Sequence, residues 1–149
     1  MPNVPAVPTV VDDLASVLFA LRFAPVTTAA VTAQITRAVV EWALARDWVP
    51  RTEARVAVHG APAGGLGFVD VIVLRGGGEP DLAIEIDSTD KPWSVAKLRH
   101  AVAAGMHGIW VRWGDDEWAG VYEDIDVIQL REMRRPRHRT PSDQLTVWS

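Results

Sequence analysis

Between residues 66 and 90 two apolar runs are each interrupted by a single carboxylate: FVDVIVL holds Asp70 between Val69 and Val71, and LAIEID holds Glu85 between Ile84 and Ile86. Both runs are otherwise largely apolar and the turn RGGGEP separates them, which predicts two buried strands paired antiparallel. An ionised carboxylate inside such a strand is costly unless it is paired or bound to a metal. Side chains alternate with period two, so Glu85 and Asp87 share one side of their strand. Across the pair, Asp70 comes opposite or diagonal to them, within roughly 5 to 8 Å.

The remaining chain supplies elements around this pair. Val10, Val11, Leu14, Val17, Leu18 and Leu21 follow the spacing of an amphipathic helix, with Asp12 or Asp13 near its start and Pro25 beyond its end. Thr27 or Thr28 can cap a second helix with Val31, Ile35, Val39, Trp42 and Ala43 on one face, closed by the segment from Asp47 to Pro50. After Pro50 the period becomes alternating, with Ala54, Val56 and Val58 facing one way, and APAGGLG then makes a turn. From Pro92 a third helix is expected, with Val95, Leu98, Val102 and also Ala101 inward and Gly105 near its end. HGIWVRW reads as a buried strand and VYEDIDVIQL as another. The expected class is therefore α/β: helices, a three-stranded meander, a helix and further strands. Residues 1–9, with three prolines, read as an extended arm, 10–130 as one domain, and 131–149 as a basic tail.

A chain of 149 residues that is 48% hydrophobic can bury one sizeable core. The absence of cysteine excludes disulfides, thiolate metal sites and Cys nucleophiles. The start has no basic region followed by an apolar one, and no stretch reaches the roughly 18 apolar residues of a membrane span, so a cytoplasmic protein without membrane attachment is expected. The formal charge of −4 conceals an asymmetry: REMRRPRHR carries Arg131, Arg134, Arg135, Arg137 and Arg139 against Glu132. Such a cluster can neutralise phosphates, or it can be a solvated tail.

Three converging carboxylates, Asp70, Glu85 and Asp87, repel unless protonated, paired with a base or bridged by a hard cation, and Mg or Mn with oxygen ligands is the natural solution. Such an ion activates water and stabilises charge on a phosphate, which phosphodiester hydrolysis needs. Lys91 and Lys97 are the only lysines, and Lys97 projects from the helix that should pack beside the acids. Asp70, a turn, Ile84-Glu85-Ile86-Asp87, a helix and the strand Ile109 to Trp113 together resemble the core of the PD-(D/E)XK nuclease superfamily, over roughly residues 28 to 113. The resemblance implies a restriction-endonuclease-like fold and metal-dependent cleavage of DNA or RNA. In it, Asp70 matches the metal-binding Asp of the second strand, Glu85 the acid of the third, and Glu41 the acid of the leading helix, with Glu53 as another acid candidate. Asp87 stands where the family usually has lysine. Some members move that lysine to the adjacent helix, where Lys97 matches; others keep the fold as a binding unit.

Two functional expectations follow. In the first, Asp70 and Glu85 hold the ion, Asp87 adds a ligand or orients water, and Lys97 assists the chemistry on a nucleic acid. In the second, the chain is a catalytically inactive module binding nucleic acid or a protein partner in a bacterial or phage system; a homodimer is open in either. The plainer reading of the acids is a set of surface carboxylates paired with Arg55 and Arg75. Trp93, Trp110, Trp113 and Trp118 could stack on bases or line an interface, although Trp110 or Trp113 should be core. The four histidines lack metal-ligand spacing, the glycine runs lack the Lys and Ser/Thr of a phosphate loop, and Ser88 and Ser94 lack a nucleophile-elbow context.

Overall fold

A computed structural model describes residues 9–23, 27–57, 66–114, 116–118, 120 and 122–130. The chain runs α1 (Val10–Phe19), α2 (Thr28–Leu44), β1 (Val49–Ala57), β2 (Leu66–Leu74), β3 (Leu82–Asp87), α3 (Pro92–Ala103), β4 (His107–Trp113) and β5 (Asp126–Leu130). The expected arm lies outside the described residues except for Thr9, and the arginine-rich tail lies outside them entirely.

Local chemistry sets the helix ends. Thr9 forms a reciprocal capping box with Asp12, and the Thr27 hydroxyl accepts the Ala30 N–H. Pro92 opens α3 at a position where its missing N–H costs nothing. Asp13 accepts the Trp42 indole N–H at 3.1 Å and pairs with Arg46, which ties α1 to α2.

The five strands lie in sequence order in one sheet. β1, β2 and β3 are antiparallel neighbours, as the meander expected from the sequence requires, whereas β4 and β5 are parallel to β3. The architecture is therefore α/β with a mixed sheet. Gly76, Gly77 and Gly78 all have φ between 63° and 80°, so the β2–β3 turn uses backbone conformations that side chains disfavour. β1 begins earlier than the sequence suggests and contains Pro50, which an edge strand tolerates because one side of its backbone has no ladder partner.

Each face of the sheet has its own core. Val71, Val73, Leu82, Ile84, Ile86, Ile109, Val111, Trp113, Ile128 and Leu130 pack under α1 and α2. Ile72, Ala83 and Trp110 face α3 through Val95, Leu98 and Ala101. Val69 also packs on the α3 side, so strict alternation along β2 slips once between Val69 and Ile72. The β1–β2 register is the same on both sides of Glu53, from Thr52↔Val71 to Ala54↔Val69, and Glu53 itself sits at φ 51°. A left-handed Glu is uncommon, and here it marks the local distortion beside Asp70.

Candidate functional site

The register Val71↔Ile84 extended by one residue sets Asp70 opposite Glu85. There the backbone ladder gives way to side chains: the Asp70 N–H donates to Glu85 Oε1 at 3.2 Å, and the Ile86 N–H donates to Asp70 Oδ2 at 2.7 Å. Each carboxylate thus replaces a backbone carbonyl as acceptor, satisfying a strand N–H that would otherwise be left over. The two acids are locked across the strand pair.

Helix α3 completes the arrangement. Ser94, Val95, Leu98 and Ala101 form its buried stripe, and Lys97 lies one turn beyond Ser94 at the margin of that stripe. Ser94 Oγ donates to Glu85 Oε2 at 3.3 Å, while Lys97 Nζ stands 3.1 Å from Glu85 Oε1 and donates to the Phe68 carbonyl at 2.8 Å. Glu85 is only 2% exposed, so both of its oxygens are held by the protein rather than by solvent.

Asp87 is buried on the same strand and is held separately. Its Oδ2 accepts the Trp110 indole N–H at 2.9 Å, and its Oδ1 lies 3.2 Å from Lys91 Nζ. The structure therefore joins Asp70, Glu85 and Lys97 directly and places Asp87 as a flanking charge. Glu53 is exposed, but its charge is felt at Asp70. Glu41 is exposed on α2, whose buried residues pack against the other face of the sheet. Arg75 pairs with Glu79, and Arg112 bonds to Gln129. The side chain of Arg55 and all five tail arginines lie outside the described residues.

Burial dominates the electrostatics. It pushes the Glu85 carboxyl up to about 7, with Asp70 adding to the rise and Lys97 opposing it. Asp70 is also raised, by burial first, against the hydrogen bond from Ile86. Two acids sharing a desolvated site cannot both ionise without compensation. Lys97 supplies part of that compensation.

Beyond Asp87, the same face of the sheet continues through Trp110 and Arg112 to Gln129. The Arg112 guanidinium carbon lies 5.4 Å and 5.1 Å from the Trp110 and Trp118 ring centroids, and its Nε donates to Gln129 Oε1 at 2.8 Å. Arg112, Gly114, Asp116, Trp118 and Gln129 line a pocket of about 270 Å³. Sequence reasoning missed this pocket and the Ser94 contact. The spacing of Ser94 from Lys97 carried a signal for the contact, whereas the pocket depends on the parallel β4–β5 register, which no local pattern reveals.

Comparison of the chain with protein-family models, with curated proteins and with solved structures finds no match.

Proposed function

We propose that the chain is a metal-dependent nuclease-like protein acting on phosphodiester bonds of DNA or RNA. The observation that carries the reading is the convergence of Asp70, Glu85 and Lys97 across β2, β3 and α3. Among the described residues no set of three His, Cys, Asp or Glu side chains is arranged to hold an ion. The oxygen donors nevertheless suit magnesium or manganese, because magnesium is commonly bound by one or two carboxylates together with waters and substrate phosphates. Asp70 and Glu85 would be those two. When bound, the ion supplies an activated water and neutralises charge on the phosphate.

The protein's own groups have distinct tasks. The hydrogen bonds from Ile86 to Asp70 and from Ser94 to Glu85 fix the carboxylates before any ligand arrives. Lys97 lies against Glu85, and its ammonium would stabilise negative charge developing on a phosphate at the acids. Asp87 adds negative field without being in the direct Asp70–Glu85 contact, which favours ion binding. The arginines between 131 and 139 would add affinity for phosphates; removal of residues after Leu130 should lower nucleic-acid affinity and flatten its salt dependence.

The test is manganese-dependent cleavage of single-stranded, duplex and branched DNA and RNA. Wild type should cleave at least one of them, and Lys97→Ala should lose cleavage while keeping the fold and manganese affinity. Full activity in Lys97→Ala would refute the role of that lysine. One observation favours a second reading: protein donors engage both oxygens of Glu85 and both of Asp87. A wild type that binds nucleic acid but cleaves none of these substrates would make the chain a nuclease-fold binding module.

A further inference from the structure

Trp93 is the outlier among the described tryptophans. Trp42 packs edge-on against Trp48, Trp110 against Trp118, and Trp113 is fully buried, whereas Trp93 is 54% exposed and its ring meets no other ring and no cation among the described residues. A single exposed apolar side chain is ordinary; what distinguishes this one is its place. Trp93 precedes Ser94, whose Oγ lies 3.3 Å from Glu85 Oε2, so with successive Cα atoms about 3.8 Å apart its backbone stands within roughly 10 Å of that carboxylate. Four residues advance a helix by about 40° beyond one full turn, so Trp93 and Lys97 share one flank of α3. From this flank Lys97 reaches Glu85 Oε1 and the Phe68 carbonyl on β2, which makes it the flank that overhangs the Asp70 side of the site. Because α3 connects the parallel strands β3 and β4, it runs back along β3, and its first turn lies over the carboxyl end of that strand, where α/β sheets commonly receive ligands.

The acids are open on the same side. Glu85 is closed in by Ser94 and Lys97, whereas Asp70 is only half-buried: its Oδ2 accepts the Ile86 N–H, and its Oδ1 has no protein donor among the described residues. A ligand therefore reaches the pair at Asp70, past the flank that carries Trp93. Lys91 and Lys97 already pair with Asp87 and Glu85, so what this flank offers a ligand is the uncovered face of the indole. Such a face suits a nucleobase, because every base has a π-face and base–aromatic stacking tolerates any sequence. Only an unpaired base can use it, since the bases of a duplex are stacked on one another. Lys91 and Lys97 on either side of Trp93 make a poor core for a protein interface, from which charge is depleted.

We propose that Trp93 stacks on an unpaired base next to the phosphate held at Asp70 and Glu85, which makes single-stranded nucleic acid the substrate class. The inference rests on the nuclease reading for the phosphate, while the stack can be measured by binding alone. Fluorescein-labelled oligothymidine with a phosphorothioate backbone, which resists cleavage, is titrated with the full chain in magnesium at pH 7.5 and followed by fluorescence anisotropy, beside the same strand without bases and a duplex of equal length. Trp93→Ala should bind the oligothymidine about tenfold more weakly than wild type, and Trp93→Phe, which keeps an aromatic face, within about threefold of it. Neither substitution should alter affinity for the strand without bases or for the duplex, and both leave the core intact because Trp93 is exposed. In the ¹⁵N-labelled chain, oligothymidine should move the indole N–H signal that is lost in Trp93→Phe, and the strand without bases should leave it in place. Unchanged affinity for oligothymidine in Trp93→Ala, or an equal loss on the strand without bases, would overturn the proposal. An indole signal that no oligonucleotide moves would also overturn it and leave Trp93 to a protein contact. Trp93-dependent binding in a chain that cleaves nothing would keep the stack and remove the nuclease reading; cleavage by a chain whose Trp93→Ala variant binds single strands as wild type does would do the reverse.

Discussion

Leu82, Ile84 and Ile86 on one face of β3 and Ala83, Glu85 and Asp87 on the other are all buried, but they impose opposite demands on what covers them. The first set meets α1 and α2 through apolar contacts alone and needs only shape. The second set meets α3, which must provide Ser94 and Lys97 at fixed positions as well as Val95, Leu98 and Ala101. One face stores stability. The other gives some of it up to hold charge where water is excluded, which is the usual situation of a chemically poised group.

The largest effect is expected on the apolar side. Ile84→Ala should lower the unfolding free energy by about 2 to 5 kcal/mol in urea denaturation, because the site has no accessible surface and its neighbours cannot all close the cavity. A loss below about 1 kcal/mol would show that this face is loosely packed.

The charged side should respond to pH instead. In the folded, metal-free protein Glu85 binds its proton more tightly than in the unfolded chain, since its carboxyl is raised from 4.5 to about 7. Its contribution is therefore most favourable below pH 4.5 and is lost as the pH rises through 7. The loss is at most about 3 kcal/mol. Wild type minus Glu85→Gln, measured by denaturation from pH 4.5 to 8, isolates this slope from that of the other acids. A difference independent of pH would mean that Glu85 is ionised throughout and that Lys97 balances it fully.

The smallest expected effect lies at the edge of the apolar layer. Thr9→Ala removes the cap of α1 and should cost about 1 kcal/mol without altering the pH profile. A change in that profile would connect α1 to the acid site, contrary to the division between the two faces.

How much of this was legible in the sequence follows the same division. The interrupted strands predicted the pairing that sets Asp70 against Glu85, and the periodicity of residues 92–103 placed Lys97 on the helix above them. The first helix ends at Phe19 instead of reaching Leu21, and its cap is Thr9, although Asp12 does complete the capping box. Alternation alone did not reveal the slip between Val69 and Ile72, because a local distortion of β2 opposite a left-handed Glu53 leaves no periodic trace. Nor did it show that Trp110 would bind Asp87, since the indole N–H meets the carboxylate only through the parallel register Asp87↔Arg112. Short-range pairing could be read directly; contacts that depend on crossover geometry could not.

The central claim is that Asp70 and Glu85 form a divalent-ion site. Its most direct test is isothermal titration of manganese into wild type and Asp70→Ala at pH 7.5, with denaturation confirming that the variant is folded. The account predicts saturable binding near one ion per chain in wild type, weakened at least tenfold in Asp70→Ala. Identical binding in the two proteins, or none in wild type, would contradict it.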